Sequence, residues 1–135
     1  MLAYVFWHRP REGVDVASYE AELREFHARL GEEALEGVHG TATYAVDDLP
    51  WLGGPGYEDW YFLEASFALD TLNAAAVTGR VEEAHRPIAA LTGGMAAGLY
   101  RLTDGVWRRQ MVLGPTPELP QVTTGSDGRG RRKVA

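Results

Sequence analysis

Residues 2–8, LAYVFWH, carry a bulky or apolar side chain at nearly every position. Leu2, Tyr4, Phe6 and His8 fall on one side of an extended chain, and Ala3, Val5 and Trp7 on the other. The pattern predicts a strand buried on both faces and ended by Arg9-Pro10. From Val16 the spacing changes. Val16, Tyr19, Leu23, Phe26 and Leu30 recur at steps of three and four, the stripe of an amphipathic helix. Asp15 is placed to cap its N-terminus, Glu20 and Glu22 lie in its early turns, and Gly37 closes the segment. His27 stands one step off the stripe, at its edge.

Further strands are predicted over 39–46, 57–67, 95–103 and 106–113, with 57–67 again carrying large residues on both faces. DDLPWLGGPG, 47–56, reads as a Gly/Pro loop, and Asp104-Gly105 as a two-residue hairpin turn between the last two strands. A short helix is expected from Asp70 through Ala76, ended at Gly79, with one or two further turns over 80–85 before Pro87. The order β-α-β-β-α-β with a C-terminal hairpin strand is that of an α+β, ferredoxin-like split βαβ domain with an antiparallel sheet. Such a sheet has helices on one face only, so its strands should alternate apolar and polar. Strands 2–8 and 57–67 do not. A second copy is the expected cover for the other face, giving a homodimer whose two sheets enclose a dimeric α/β barrel. Residues 1–113 form that domain. Residues 114–135 lack periodicity and are expected to be an arm and a loose tail.

At 135 residues, 45% hydrophobic and 24% charged, the chain is sized for one globular domain. It has no cysteine, which excludes disulfides, thiolate metal sites and cysteine nucleophiles. No apolar run is long enough to span a membrane, and MLAYVFWHRP lacks the marks of a signal peptide, so a cytoplasmic protein is expected. Net charge is −6, yet residues 123–135 carry +3, which leaves −9 on the rest. So acidic a body argues against a nucleic-acid partner.

The layout, with EFHARL late in the first helix and YEDWYFLEASFALDTLNAA in the third strand and next helix, resembles the EthD-like branch of the dimeric α/β-barrel superfamily. That branch carries an aromatic–His–x–Pro–Leu signature in its first helix. Phe26, His27, Ala28, Arg29 and Leu30 stand in its place, with Arg29 where the family usually has proline. The resemblance covers roughly residues 2–103. It implies a homodimer with a pocket between sheet and helices in each subunit. Members include cofactor-independent monooxygenases of aromatic polyketides, polyketide cyclases, lactone isomerases and haem-degrading enzymes, so the fold narrows function only a little.

Candidate chemistry follows from which residues share a face. His27 could reach a cleft between helix and sheet as a base, or be a histidine hydrogen-bonded at the rim of the core. His8 and His39 could line the same mouth, or be exposed strand-end histidines. Glu64, grouped by alternation with Trp60 and Phe62, could be a carboxylate raised by desolvation for proton transfer, or a strand-end ion-pair partner. Tyr4, Tyr44 or Tyr61 would hydrogen-bond a developing oxyanion, while Phe6, Trp60 and Phe62 would hold a ring. His85 is the position for a haem ligand, but the asparagine that related haem-degrading enzymes use in strand one is absent. The histidines show no metal-ligand spacing, and there is no Walker loop, GxGxxG or GxSxG, so no metal or cofactor is expected. The reading is a protein that binds a small apolar, aromatic or polyketide-like molecule. Any catalysis would be cofactor-independent proton transfer by a cyclase, isomerase or monooxygenase. The alternative is a non-catalytic accessory or stress-related domain.

Overall fold

The computed structural model describes residues 1–102 and 130–135 in full, and 103 and 106–113 as backbone. In these residues the chain runs β1 (Leu2–Pro10), α1 (Val16–Glu33), β2 (Val38–Leu49), a 3-10 turn (Pro50–Leu52) and β3 (Gly54–Leu63). Then come α2 (Phe67–Ala76), α3 (Gly79–Leu91), β4 (Thr92–Thr103), β5 (Val106–Leu113) and β6 (Arg131–Lys133). The described strands form one antiparallel sheet in the order β5-β4-β1-β3-β2-β6. The central order β4-β1-β3-β2 is the ferredoxin-like arrangement, as the element order implied. The expected dimeric barrel goes beyond what a single chain displays.

Helix α1 starts where its sequence says it should: the Asp15 carboxylate accepts from the Ser18 amide at 2.9 Å, capping the first turn. It ends earlier than Gly37, at Ala34, which takes a left-handed φ of 46°. Gly37 serves the next junction instead. At φ 75° its Cα faces Phe67 and Ala68 so closely that a Cβ would sit within 2.9 Å of them.

Three boundaries differ from the periodicity for physical reasons. The 47–56 loop shrinks to a 3-10 turn, because β2 and β3 keep pairing as far as Leu49↔Gly54. The strand expected through 67 stops at Leu63, and α2 begins at Phe67. Helix α3 runs through Pro87 to Leu91, since Ile88 beyond the proline is buried against the sheet and offsets the lost hydrogen bond. Strand β5 pairs with β4 from Ala97↔Leu113 to Thr103↔Val106. The Asp104-Gly105 turn, and the side chains of Trp107, Met111 and Leu113, lie outside the described residues.

The sheet separates two cores. Toward the helices, Tyr57, Tyr61, Leu63 and Leu99 pack with Tyr19, Leu23, Phe26 and Leu30 of α1 and with Leu72, Val81 and Ile88. On the far face Ala3, Val5, Trp7, Ala42, Trp60 and Tyr100 form a second cluster. Trp7 is wholly buried there within one chain, so the centre of this face is not bare, contrary to the sequence-based expectation.

The C-terminus departs further from expectation. Instead of a loose tail, residues 130–135 add β6 beside β2, with Tyr44↔Lys133 and Val46↔Arg131 in register. Val134 is buried in the helix-side core, and Val134 and Ala135 bond the backbone of Thr43.

Candidate functional site

Between sheet and helices lies a cavity of about 410 Å³, a size typical of small-molecule sites. Strand alternation aims Tyr4, Phe6 and His8 of β1 and Asp59 and Tyr61 of β3 into it. Leu23 and Phe26 of α1, and residues of α2 and α3 including His85, close the other side. Val77 and Met95, exposed at 66% and 62%, also line it, so it meets solvent along an apolar margin.

Beneath the wall runs a buried polar chain. The Thr92 hydroxyl donates to the Ile88 carbonyl at 2.9 Å, which leaves its oxygen to accept from Tyr19 at 3.0 Å. The Tyr19 oxygen is then left to accept from Nδ1–H of His8, at 2.7 Å. The other nitrogen of His8, Nε2, lies 3.0 Å from Asp59 Oδ2, yet it is buried and has no aligned hydrogen bond. We read that contact as electrostatic, since distance without direction does not make a hydrogen bond. The His8 ring is held in place by stacking on Phe6 at 5.3 Å and Tyr57 at 5.7 Å.

Asp59 is the hub. It accepts from Thr43 at 2.7 Å and from the Tyr61 hydroxyl at 3.3 Å, and it lies 3.4 Å from His27 Nε2. Burial alone would raise its pKa. The positive charge that His8 carries once protonated, together with the contact with His27, outweighs burial and holds the carboxyl well below the ordinary range. The phenols respond oppositely. Burial, reinforced by Asp59, pushes Tyr61 well up, and burial also raises Tyr19 and Tyr4.

His27 does not border the cavity. Its Nε2 donates to Thr43 Oγ1 at 2.6 Å and its Nδ1 accepts from Thr41 Oγ1 at 2.8 Å, while its ring stacks on Tyr61. With both nitrogens bonded to protein inside the core, it cannot serve as the base of this cavity. Arg29 points away, paired with Glu25 at 2.6 Å and Glu32 at 3.3 Å.

Glu64 lies beyond the end of β3, exposed and outside the cavity wall, so the acid–base role expected of it has no place in this cavity. His39 is exposed at the start of β2. Trp60, Phe62 and Tyr44 project from the far face of the sheet because their parity is opposite to that of Asp59 and Tyr61. His85 lines the cavity, its ring 5.2 Å from Phe26, and burial lowers its pKa. Among the described residues no three metal-ligating side chains converge.

Asp59, Tyr19, Thr41 and Thr43 were not singled out from sequence. A signal existed for Asp59: a carboxylate inside YEDWYF, sharing parity with Tyr57 and Tyr61, had to be buried and therefore partnered.

No protein-family model matches the chain, and no curated protein does. Among solved structures, it is similar to a dimeric protein of unknown function and ferredoxin-like fold from Bacteroides fragilis. The identity is 12%, the TM-score 0.52, and the match covers 75% of this chain and 95% of the other. That likeness establishes the ferredoxin-like fold.

Proposed function

We propose that this is an EthD-like protein whose cavity binds a small aromatic molecule bearing an acidic hydroxyl, with His8 and Asp59 as the polar end of the site. The observation that carries the reading is His8 Nε2, buried in the cavity wall without an aligned hydrogen bond. A hydroxyl placed there would complete it. With Nδ1–H committed to Tyr19, Nε2 is the atom free to take the hydroxyl proton, and the ionised Asp59 3.0 Å away would stabilise the imidazolium formed. Phe6, Tyr4 and Phe26 supply the apolar surface for the ring. If turnover follows, it is proton-transfer chemistry on an acidic phenol or enol, of the cyclase, isomerase or monooxygenase kind. The rival reading, binding without turnover, draws support from Tyr19, Tyr61 and His27, whose polar atoms are all satisfied inside the protein. Self-association into a homodimer is part of the proposal; its support is the dimeric state of the structural neighbour.

Calorimetric titration with 1-naphthol and with naphthalene tests the site. The hydroxyl should improve affinity roughly tenfold, as one hydrogen bond to a charged partner would, and His8→Phe should erase that preference. Equal binding of both probes, or binding of neither, would remove the role assigned to His8.

A further inference from the structure

On the face of the sheet away from the cavity, Glu58 is a carboxylate almost wholly out of water. Its two oxygens accept from indoles, Oε1 from Trp7 at 3.1 Å and Oε2 from Trp60 at 3.3 Å. Its cationic partner among the described residues is Arg131 of β6, with Nη2 2.6 Å from Oε2. The Arg131 guanidinium carbon also lies 5.9 Å from the ring centroid of Tyr44 and 6.0 Å from that of Trp60. Two aromatic rings and a desolvated carboxylate around one planar cation are the elements of a recognition cage, because ring quadrupole and anion both favour a weakly hydrated guanidinium.

Two features mark this occupant as removable. The strand that carries it is three residues long and lies at the edge of the sheet, and the Arg131 side chain keeps 31% of its surface in solvent while Glu58 keeps 2%. The receptor is therefore built into β1, β2 and β3, and its cation arrives on the outermost strand.

We infer that Trp7, Trp60, Tyr44 and Glu58 form a binding site for guanidinium compounds, and that Arg131 is a built-in ligand that keeps it filled. The site lies on the opposite side of the sheet from the cavity and does not rest on the cavity chemistry proposed above. An arginine side chain of a partner peptide, or a small alkylguanidinium, would compete with β6 for it.

N-propylguanidinium, the arginine side chain cut at Cα, is the probe. Titrated into Arg131→Ala and followed by tryptophan fluorescence, it should bind saturably, whereas the wild type, already filled, should bind it at least about tenfold more weakly. Propylammonium should bind Arg131→Ala less well, lacking the planar fork. Arg131→Ala/Glu58→Gln should lose at least about tenfold in affinity for N-propylguanidinium. Absence of saturable binding to a folded Arg131→Ala protein, or equal affinity with and without the Glu58 carboxylate, would overturn the inference. Should the alanine variant not fold alone, folding restored by N-propylguanidinium and not by propylammonium supports the site. Failure of the probe to restore folding, in both Arg131→Ala and Arg131→Gln, overturns it.

Discussion

Glu58 and Asp59 are consecutive residues of β3, and the pleat sends them to opposite faces of the sheet. Both are almost fully buried, and they are compensated differently. Asp59 is flanked by two histidines, a tyrosine and a threonine, all from elements before β4. Glu58 is flanked by two indoles and an arginine that arrives at the far end of the chain. One carboxylate thus depends on partners that can gain or lose protons, and the other on a fixed charge that can only arrive or leave. The first arrangement suits chemistry beside a cavity; the second suits closure.

The largest effect should come from Asp59→Ala. Removing it leaves two histidines and a threonine facing one another in the core, and breaking a buried charged cluster costs about 3–5 kcal/mol. The pH dependence has a definite sign. Because Asp59 is held below its unfolded value of about 3.9, its contribution is present at neutral pH. It declines as acid protonates the unfolded chain, from about pH 5 downward. Chemical denaturation at pH 7 and pH 4 should show wild-type stability falling between the two, and Asp59→Asn falling less. A parallel loss in both proteins would separate Asp59 from the acid sensitivity.

Arg131→Ala should come next. It strands the Glu58 carboxylate, but the indole donors remain and water reaches the vacated position, so about 2–3 kcal/mol is expected, below the range for a sealed pair. Arg132→Ala should be smallest. Arg132 comes from the same strand and pairs with buried Glu20, which Arg24 and Tyr57 also hold. With 59% of its side chain in solvent, the pair is screened, and its loss should be the smallest of the three. Guanidinium-free thermal melts of the two variants side by side would check the ranking. Equal losses would mean that β6 acts through its backbone bonds to β2 and not through Arg131.

Much of the architecture was legible because it rests on period. The apolar steps of α1 and the two-sided strands at 2–8 and in β3 led to the ferredoxin-like order without tertiary information. The site was less legible, and His27 shows why. Its position at the margin of the α1 stripe was evident, but from there an imidazole can face a cleft or a neighbouring strand. The choice was made by Thr41 and Thr43, which β2 presents at hydrogen-bonding distance. No spacing within residues 24–33 encodes that. The tail misled for a related reason: GRGRRKVA has the composition of a solvated segment, and Arg131 and Arg132 become ordered because carboxylates placed by other elements, Glu58 and Glu20, pair with them.

The adjacency of Glu58 and Asp59 also bears on how the chain avoids assembling wrongly. β3 is gripped on both sides, with Asp59 opposite Phe6 and Thr43, and Glu58 opposite Trp7 and Tyr44. A strand of alternating large aromatics could slide by one position and still bury comparable apolar surface, so greasy packing alone would tolerate the error. Sliding would exchange the two acids between faces. The shorter Asp59 would then fall short of Arg131, and the longer Glu58 would crowd the histidines. Each acid would be dehydrated without its own partner, at a cost far above the lost packing. The pair therefore acts as a two-sided checksum on β3, admitting one alignment with both neighbours at once, and chain-length changes should be tolerated in the turn around Pro50–Leu52 and rejected between Tyr57 and Leu63.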